Sequence, residues 1–307
     1  MRIGTRASAL ALAQAELVAE ALAKARSRSA GRPAIEIVPV LTSGDRGRRA
    51  GDKSRWVDAI EDALEAEEVD LAVHSAKDVP GELRAGLVLL GAPARAAPED
   101  ALCGAESLAA LPRGAHVGTS SLRRSAQLRA AREDLRVSSM RGNVDTRLRK
   151  LAAGDGDGLD AIVLARAGLQ RLGREDAVGA VLDPATHVPA PGQGVLALEG
   201  RAADARAREA ADAISDRQTL TCLLAERALA RELEATCRTP LGAHAAPAGD
   251  GGLHLRAWLG LPDGSGWISD ELDGEQAAPA ELGREVARRM RVAGAGELLR
   301  ETERLAV

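Results

Sequence analysis

The stretch Ala72-Val73-His74-Ser75-Ala76-Lys77-Asp78-Val79-Pro80 joins the end of an apolar run to a charged pair. Leu71 to Val73 is a short apolar run of the kind that a buried parallel strand shows. In open α/β sheets, ligands bind beyond the carboxyl ends of such strands, which is where Lys77 and Asp78 fall. Pro80 disfavours a helix and biases Val79 to an extended backbone, so the charged pair is expected on a fixed turn. The stretch predicts a strand that ends in a site; the alternative is a solvated ion pair on a loop.

The composition of the 307-residue chain is that of a globular protein with two or three domains. Hydrophobic residues make up 45%, but there is no Phe or Tyr and there are only three Trp, so the cores must be built from aliphatic side chains. Few aromatic rings and a net charge of -4 argue against stacking on bases and against attraction to polyanions. We therefore expect no nucleic-acid partner.

The N-terminus has no apolar signal core, and no later run approaches membrane-spanning length. We expect a cytoplasmic protein with no membrane partner. The cysteines are Cys103, Cys222 and Cys237, an odd number without a Cys-x-x-Cys pair, so neither a disulfide framework nor a metal site is expected. Cys103 and Cys222 lie among apolar residues and are expected to be buried. Cys237 lies on a loop beside Arg238, where its thiol pKa would be lowered, and is the candidate for covalent chemistry, with a buried small hydrophobe as the alternative.

The first residues predict a strand, a turn and a helix. Arg2 to Thr5 reads as the strand, and Ser8 is the expected N-cap of a helix with an apolar face that begins at Leu10. This opening would turn Arg6 and free backbone N–H groups toward one crevice, which suits an anion. An ordinary cap with a solvated arginine is the alternative.

Positive charge is concentrated between residues 119 and 150, where nine Arg or Lys face three Asp or Glu. Two segments there, Ser121-Leu122-Arg123-Arg124 and 141–147, follow strands and open helices. A helix N-terminus with arginines is a site for carboxylate or phosphate. Solvated helix faces are the alternative, and they account better for a second group of cations. This group comprises Arg129, Arg132, Arg149 and Lys150.

Two proline- and glycine-containing segments, 91–98 and 189–194, are predicted crossings between domains. The chain would leave a first α/β domain, build a second and return. We predict domain 1 at 1–93 and 195–215, domain 2 at 98–189, and a small α+β domain 3 at 218–307. A short helix is expected from Gly168, with Arg171 near its head. The polar loop 42–55, with five Arg or Lys, is predicted to be a lid over an anionic ligand or a solvated surface loop.

Seven short motifs occur in one order along the chain. They are Arg2-Ile3-Gly4-Thr5-Arg6-x-Ser8, Thr42-Ser43-Gly44-Asp45, His74-Ser75-x-Lys77-Asp78-Val79-Pro80, Gly118-Thr119-Ser120-Ser121-Leu122-Arg123-Arg124, Arg141-Gly142-Asn143-Val144-x-Thr146-Arg147, Ala190-Pro191-Gly192-Gln193-Gly194, and Cys237 followed by Pro240-x-Gly242. Together these motifs resemble the porphobilinogen deaminase (hydroxymethylbilane synthase) family over almost the whole length of the chain.

The resemblance implies an α/β fold of two domains like the hinged halves of periplasmic binding proteins, with the active cleft between them, plus a small C-terminal α+β domain. It implies a monomeric transferase of tetrapyrrole and haem biosynthesis. Four molecules of porphobilinogen are joined head to tail with loss of ammonia, and water releases linear hydroxymethylbilane. The family primes this chain with a dipyrromethane cofactor held by a thioether on a cysteine, which by motif is Cys237.

The matching motifs also imply roles for individual residues. Asp78 would be catalytic. Cofactor binding would fall to Cys237, Lys77, Ser121, Arg123 and Arg124. Substrate binding would fall to Arg6, Ser8, Arg141, Arg147 and Arg171.

Two positions depart from the family pattern. Ser54-Arg55-Trp56 stands where a Gly-Leu-Phe run is common, and Thr236 stands where a glycine usually precedes the cysteine. A different class of function, a non-catalytic two-lobed anion-binding protein, would use the same domain plan and arginines. Asp78 and Cys237 argue against it.

Overall fold

The computed structural model describes residues 1–26, 34–40, 54–153, 158–236 and 238–305, with side chains over the same ranges except at 26, 54–56 and 305. The strands are β1 (Arg2–Arg6), β2 (Glu36–Val40), β3 (Leu71–Ser75), β4 (Leu87–Gly91), β5 (Asp100–Cys103), β6 (His116–Gly118), β7 (Arg136–Ser138), β8 (Ala161–Ala165), β9 (Ala180–Leu182), β10 (Leu196–Arg201), β11 (Leu241–Ala248), β12 (Gly252–Gly260) and β13 (Trp267–Glu275). The α-helices are α1 (Ala9–Arg26), α2 (Ser54–Glu65), α3 (Leu122–Ala131), α4 (Val144–Ala153), α5 (Arg166–Arg171), α6 (Ala205–Asp212), α7 (Arg217–Glu232), α8 (Pro279–Val292) and α9 (Ala295–Leu305).

The chain divides into two compact units, 1–96 with 195–221 and 97–194 with 222–307. The first unit holds a five-stranded sheet in the order β2-β1-β3-β10-β4. β1 runs parallel to β2 and β3, whereas β10 is antiparallel to β3 and β4. The carboxyl ends of β1 and β3 therefore lie at one edge of the sheet.

The second unit holds two sheets. One has five strands in the order β7-β6-β8-β5-β9, with β6 parallel to β7 and β8 and β5 antiparallel to β8 and β9. The other is the antiparallel meander β11-β12-β13. Leu229 of α7, Leu255 of β12, and Val286 and Met290 of α8 form part of one fully buried core with this meander.

The α/β fold class is confirmed, with a C-terminal antiparallel sheet and helices as the α+β part. Helix α2 begins at Ser54, so Ser54 and Arg55, predicted as the end of the polar loop 42–55, lie in a helix instead. Residues 42–53 of the predicted lid lie outside the described residues. The three-domain boundaries and the hinged cleft stay predictions.

Candidate functional site

A pocket in the first unit lies where β1 and β3 end. After β3 the chain makes one turn of 3-10 helix, Ala76–Asp78, and Val79 is extended (φ -78°, ψ 128°). The fixed turn expected for Lys77 and Asp78 is confirmed, and both residues are half-buried. The polar side chains that line this pocket belong to Arg6, Ser8, Gln14, His74, Ser75 and Asp78.

Helix α1 forms one wall of the pocket. The hydroxyl of Ser8 accepts a hydrogen bond from the backbone N–H of Ala11 (3.3 Å), as predicted for an N-cap. One turn along, Gln14 Nε2 donates to Ser75 Oγ (2.9 Å) and so ties the helix to the end of β3. Arg6 at the end of β1, Ser8 just after it and Asp78 in the turn after β3 are thus brought to one pocket.

The first unit also holds buried ionisable groups whose pairing the sequence does not predict. His74 Nε2 is 3.0 Å from Glu199 Oε2, and both side chains are almost fully buried. Glu61 is also buried, and its Oε2 lies 2.9 Å from Nε of Arg84. Burial and the negative charge of Glu199 raise the pKa of Glu61 to about 6. Of these groups, His74 lines the pocket.

In the second unit, helix α3 begins beyond the end of β6. Ser121 is its N-cap, accepting from the backbone N–H of Arg124 (3.4 Å). Arg123 and Arg124 occupy the first turn, and both are buried. The sequence therefore places these three residues at a helix N-terminus as expected, but it does not predict the partners of the two arginines.

Asp100, the first residue of β5, is the shared partner of Arg123 and Arg124. Arg123 Nη1 donates to Asp100 Oδ2 (2.8 Å) and Nη2 to Oδ1 (3.2 Å), while Arg124 Nε donates to Oδ1 (2.9 Å). Burial by itself would raise the pKa of Asp100, but the two guanidinium groups lower it well below its ordinary value. One buried carboxylate is thus shared by two buried cations, which leaves one positive charge in excess.

The crossing segment 189–194 closes this network. Gln193 accepts from Arg124 Nη2 (3.2 Å) and donates to Asp100 Oδ1 (2.8 Å) and to the carbonyl of Pro98 (2.7 Å). The backbone N–H of Gly192 donates to the buried carboxylate of Glu226 (2.6 Å). Hydrogen bonds at Gly192 and at Gln193 therefore hold this segment in place.

Arg147 and Arg171 are two half-buried cations of the second unit. Burial and the nearby charge of Arg124 lower the pKa of Arg147, and burial lowers the pKa of Arg171 to about 10. Arg171 Nη2 donates to the carbonyl of Gly194 (2.7 Å), whereas Arg141 is exposed. Arg171 ends α5, so the prediction that it lies near the head of that helix is wrong. Helix α5 starts earlier than predicted, at Arg166, which directly follows the last residue of β8.

The two cysteines that the structure describes are buried, as the sequence predicts. Cys103 and Cys222 are buried, and burial raises the pKa of the Cys103 thiol to about 11. A buried thiol of raised pKa is a poor nucleophile. Cys237 lies outside the described residues. Among the described residues, no group of three or more His, Cys, Asp or Glu could hold a metal ion, and none of the helices is long and apolar enough to cross a lipid bilayer.

Two family models match the chain. Residues 1–209 match "Porphobilinogen deaminase, dipyromethane cofactor binding domain" and residues 220–292 match "Porphobilinogen deaminase, C-terminal domain". The chain belongs to the porphobilinogen deaminase family. It is therefore an enzyme of the transferase class, and the match over residues 1–209 is to the cofactor-binding part of that family.

Relatives in the family match from end to end. The porphobilinogen deaminase of Deinococcus radiodurans is 44% identical, covering 97% of each chain. That of Thermus thermophilus is 43% identical over the same shares, and that of Rubrobacter xylanophilus is 46% identical over 97% of this chain and 95% of its own. A periplasmic substrate-binding protein of an ABC transporter from Coxiella burnetii is similar only distantly, with a TM-score of 0.44 and 14% identity over 72% of this chain and 94% of that one.

The described residues fit the cofactor of the porphobilinogen deaminase family in their charge. A dipyrromethane made from porphobilinogen carries acetate and propionate groups, so it needs several cations. Within 97–194, Arg123 and Arg124 share the single carboxylate of Asp100, and Arg147 and Arg171 have pKa values lowered by burial. Buried positive charge in excess of its counter-ions suits a ligand with several carboxylates.

Proposed function

We propose that the chain is a hydroxymethylbilane synthase, which joins four porphobilinogen molecules head to tail with loss of ammonia and releases the linear product with water. The family match over 1–209 and the full-length relatives support this activity. One observation carries the catalytic assignment. Asp78 shares a pocket with Arg6 and Ser8, so that a carboxylate for catalysis lies beside groups that bind a carboxylate substrate.

The cofactor would be held by a thioether to Cys237, with Lys77, Ser121, Arg123 and Arg124 around its carboxylates. When bound, the dipyrromethane supplies the nucleophilic pyrrole carbon to which the first substrate is added. Arg123 donates two hydrogen bonds to Asp100 and one to the carbonyl of Val188 (2.9 Å). This geometry favours Arg123 as a fixed source of positive charge, while Asp100 and Gln193 orient Arg124.

Asp78 would act where the substrate loses its amine. Loss of ammonia leaves the methylene carbon of a pyrrole electron-poor, and positive charge spreads to the pyrrole N–H. A carboxylate held close to that N–H stabilises the charge and can move a proton. Because the 3-10 turn and the extended Val79 fix the backbone on both sides of Asp78, its carboxylate needs little reorganisation.

Substrate carboxylates would be met by Arg6, Ser8, Arg141, Arg147 and Arg171. An arginine with a carboxylate makes a charge-assisted and often bidentate hydrogen bond. The lowered pKa values of Arg147 and Arg171 mean that each charge is poorly solvated, and a bound carboxylate would relieve this. We further propose that the enzyme is a monomer of the cytoplasm, with domains at 1–93 plus 195–215, 98–189 and 218–307.

The test is the stoichiometry of the reaction. Purified enzyme is given porphobilinogen, and substrate loss, ammonia and linear tetrapyrrole are measured together. We expect one ammonia for each porphobilinogen consumed and one tetrapyrrole for every four. Saturable binding of porphobilinogen without ammonia release would instead support a two-lobed anion-binding protein.

A further inference from the structure

His74 lines the pocket that holds Asp78, yet the proposed chemistry gives it no role. It lies near the end of β3, and its side chain is 4% exposed. Side chains alternate between the two faces of a sheet along a strand, so His74 shares a face with Ala72, which packs with Ile60 and Leu64 of α2. A histidine thus stands between the apolar contact of sheet and helix and the pocket.

The partner of His74 is Glu199 in the neighbouring strand β10. The two strands are antiparallel, and Glu199 pairs with Ala72. His74 follows Ala72 by two positions, so His74 and Glu199 are diagonal neighbours on one face. Nε2 of His74 lies 3.0 Å from Oε2 of Glu199, whose side chain is fully buried. The two groups are therefore close enough for an ion pair inside the first unit.

The contact between His74 and Glu199 is not a well-aligned hydrogen bond. Among the described residues, neither Nε2 of His74 nor either carboxylate oxygen of Glu199 has a hydrogen-bond partner of good geometry. Burying charge without hydrogen bonds lowers stability, and well-packed apolar residues of similar volume would serve the fold as well or better. The stability of the fold therefore explains the pair poorly, whereas its position beside the pocket indicates a role there.

The charged groups of α2 and of the loop before β4 do not relieve Glu199. Glu61 of α2 is a second buried carboxylate, and burial together with the negative charge of Glu199 raises its pKa to about 6. Arg84 lies beside Glu61 and also pairs with three surface carboxylates of α2. These are Asp58, Asp62 and Glu65. Arg84 is thus shared among four carboxylates, and His74 is the partner in contact with Glu199.

The carboxylate of Glu199 controls the charge of His74. An ionised carboxylate beside a neutral imidazole would be a buried charge without compensation, so the pair holds one proton beyond that of a neutral imidazole. Negative charge that arrives from the pocket favours this proton on His74 rather than on Glu199. His74 is then an imidazolium, which has a donor on each ring nitrogen.

A carboxylate substrate brings such negative charge into the pocket. Porphobilinogen carries an acetate and a propionate group. Among the described residues that line the pocket, Arg6 and His74 are the two that can be positive, whereas Asp78 repels a carboxylate. We propose that His74, kept protonated by Glu199, is a further substrate-binding residue and receives one carboxylate of porphobilinogen. The inference rests on the proposed function, because it takes porphobilinogen as the substrate. Glu199 acts through His74 and is a positioning residue.

His74→Gln tests the binding role, because an amide is polar but carries no positive charge. His254→Gln is the control, since Nδ1 of His254 lies 2.7 Å from a carboxylate oxygen of Asp273 in a different sheet. Initial rates of porphobilinogen consumption are measured against substrate concentration at pH 7. We expect KM to rise about tenfold in His74→Gln, with kcat within about threefold of the parent, because one charge-assisted hydrogen bond is lost. His254→Gln should match the parent, and an unchanged KM in His74→Gln would overturn the inference.

Glu199→Gln distinguishes a charged His74 from one that only fills space. Without a carboxylate partner, an imidazole loses its proton near neutral pH, since the reference pKa of histidine is about 6.5. The KM of Glu199→Gln divided by that of the parent should therefore be several-fold smaller at pH 5.5 than at pH 8, with circular dichroism showing folded protein at both. A purely structural role gives a ratio that does not depend on pH, and that result would contradict the inference.

A double variant, His74→Gln with Glu199→Gln, removes the buried charge together with its counter-ion, so it tests the inference even if His74→Gln alone does not fold. It should show the raised KM without the pH trend. A parent-like KM, or a trend that persists because another group such as Glu61 causes it, would count against the inference. If the parent converts porphobilinogen and the double variant keeps its KM, only this inference fails. A parent that releases no ammonia from porphobilinogen removes the proposed function and the inference together.

Discussion

The carboxylate of Asp100 lies 2.8 Å from the guanidinium of Arg123, and the two side chains are 1% and 4% exposed. They come from the start of β5 and the first turn of α3, so one ion pair joins the sheet to the proposed cofactor-binding helix. Because neither group can be rehydrated in the folded protein, each depends on the other.

Asp100→Asn should destabilise the protein by about 3–5 kcal/mol, since it leaves the charges of Arg123 and Arg124 buried without a counter-ion. Urea unfolding followed by circular dichroism measures the change. Glu285→Gln breaks an exposed ion pair with Arg288 and should change little. A loss no larger in Asp100→Asn than in this control would contradict the account.

The same substitution should show a defined pH dependence. The folded-state pKa of Asp100 is well below its ordinary value, so the stability it contributes is complete above the unfolded pKa, about 3.9, and declines as pH falls further. The difference in unfolding free energy between parent and Asp100→Asn should be constant near neutral pH and shrink below about pH 4. A difference that grows in acid would show that another group is responsible.

The effect of Glu61→Gln on the free energy of unfolding should depend on pH in the opposite direction. The pKa of Glu61 is raised to about 6, so its contribution is favourable below its unfolded value and is lost as pH rises through 6. Replacing it should stabilise the protein by about 1–2 kcal/mol more at pH 8 than at pH 4.5, after allowance for the lost contact with Arg84. Thermal melts across this range measure the effect. Glu65→Gln, on the same helix and also near Arg84, is the control, and an equal pH trend there would count against Glu61.

Asp78→Asn should lower kcat by at least about a hundredfold while the melting temperature stays near that of the parent. Asparagine keeps the shape of the side chain but cannot stabilise a cation or take a proton. Asp212→Asn, exposed on α6, is the matched control and should turn over normally. Rates of porphobilinogen consumption decide the matter, and near-normal turnover in Asp78→Asn would remove the role assigned to this carboxylate.

Arg147→Leu should reduce kcat/KM by about tenfold or more without loss of stability. A charge-assisted hydrogen bond to a substrate carboxylate contributes about 1.5–3 kcal/mol. Because burial and Arg124 disfavour the charge of Arg147, leucine should leave the melting temperature unchanged or higher. Arg149→Leu, exposed on the same helix, should match the parent in both measurements. A marked fall in the melting temperature of Arg147→Leu would make this arginine structural.

Local sequence signals predicted the parts of the site that depend on one segment. In each of these parts the residues that cause the local structure lie in the segment itself. Apolar side chains form the buried strand at Leu71, and the hydroxyls of Ser8 and Ser121 cap the helices that follow them. The rule that ligands bind beyond the carboxyl ends of strands predicted a site at Asp78, which lines the pocket together with Arg6 and Ser8.

Residues whose role depends on a distant partner were missed. Asp100 sits after a proline-rich crossing and reads as loop, although the apolar Ala101 to Cys103 that follow could have marked a buried strand. Glu199 ends a run of apolar residues in β10, and its partner His74 is 125 positions away in the sequence. Gln193 lies in one of the seven motifs, but its partners Arg124, Asp100 and Pro98 are far away in the sequence. Only the fold brings such pairs together, so spacing along the chain could not reveal them.

The central claim is that Cys237 carries a dipyrromethane from which the product grows. Intact mass of the enzyme after exposure to porphobilinogen tests it most directly, with Cys237→Ala and Cys222→Ala measured beside the parent. We predict the added mass of one dipyrromethane on the parent and on Cys222→Ala, whose thiol is buried in the parent, and none on Cys237→Ala. An unmodified parent, or an adduct that persists in Cys237→Ala, would contradict the account.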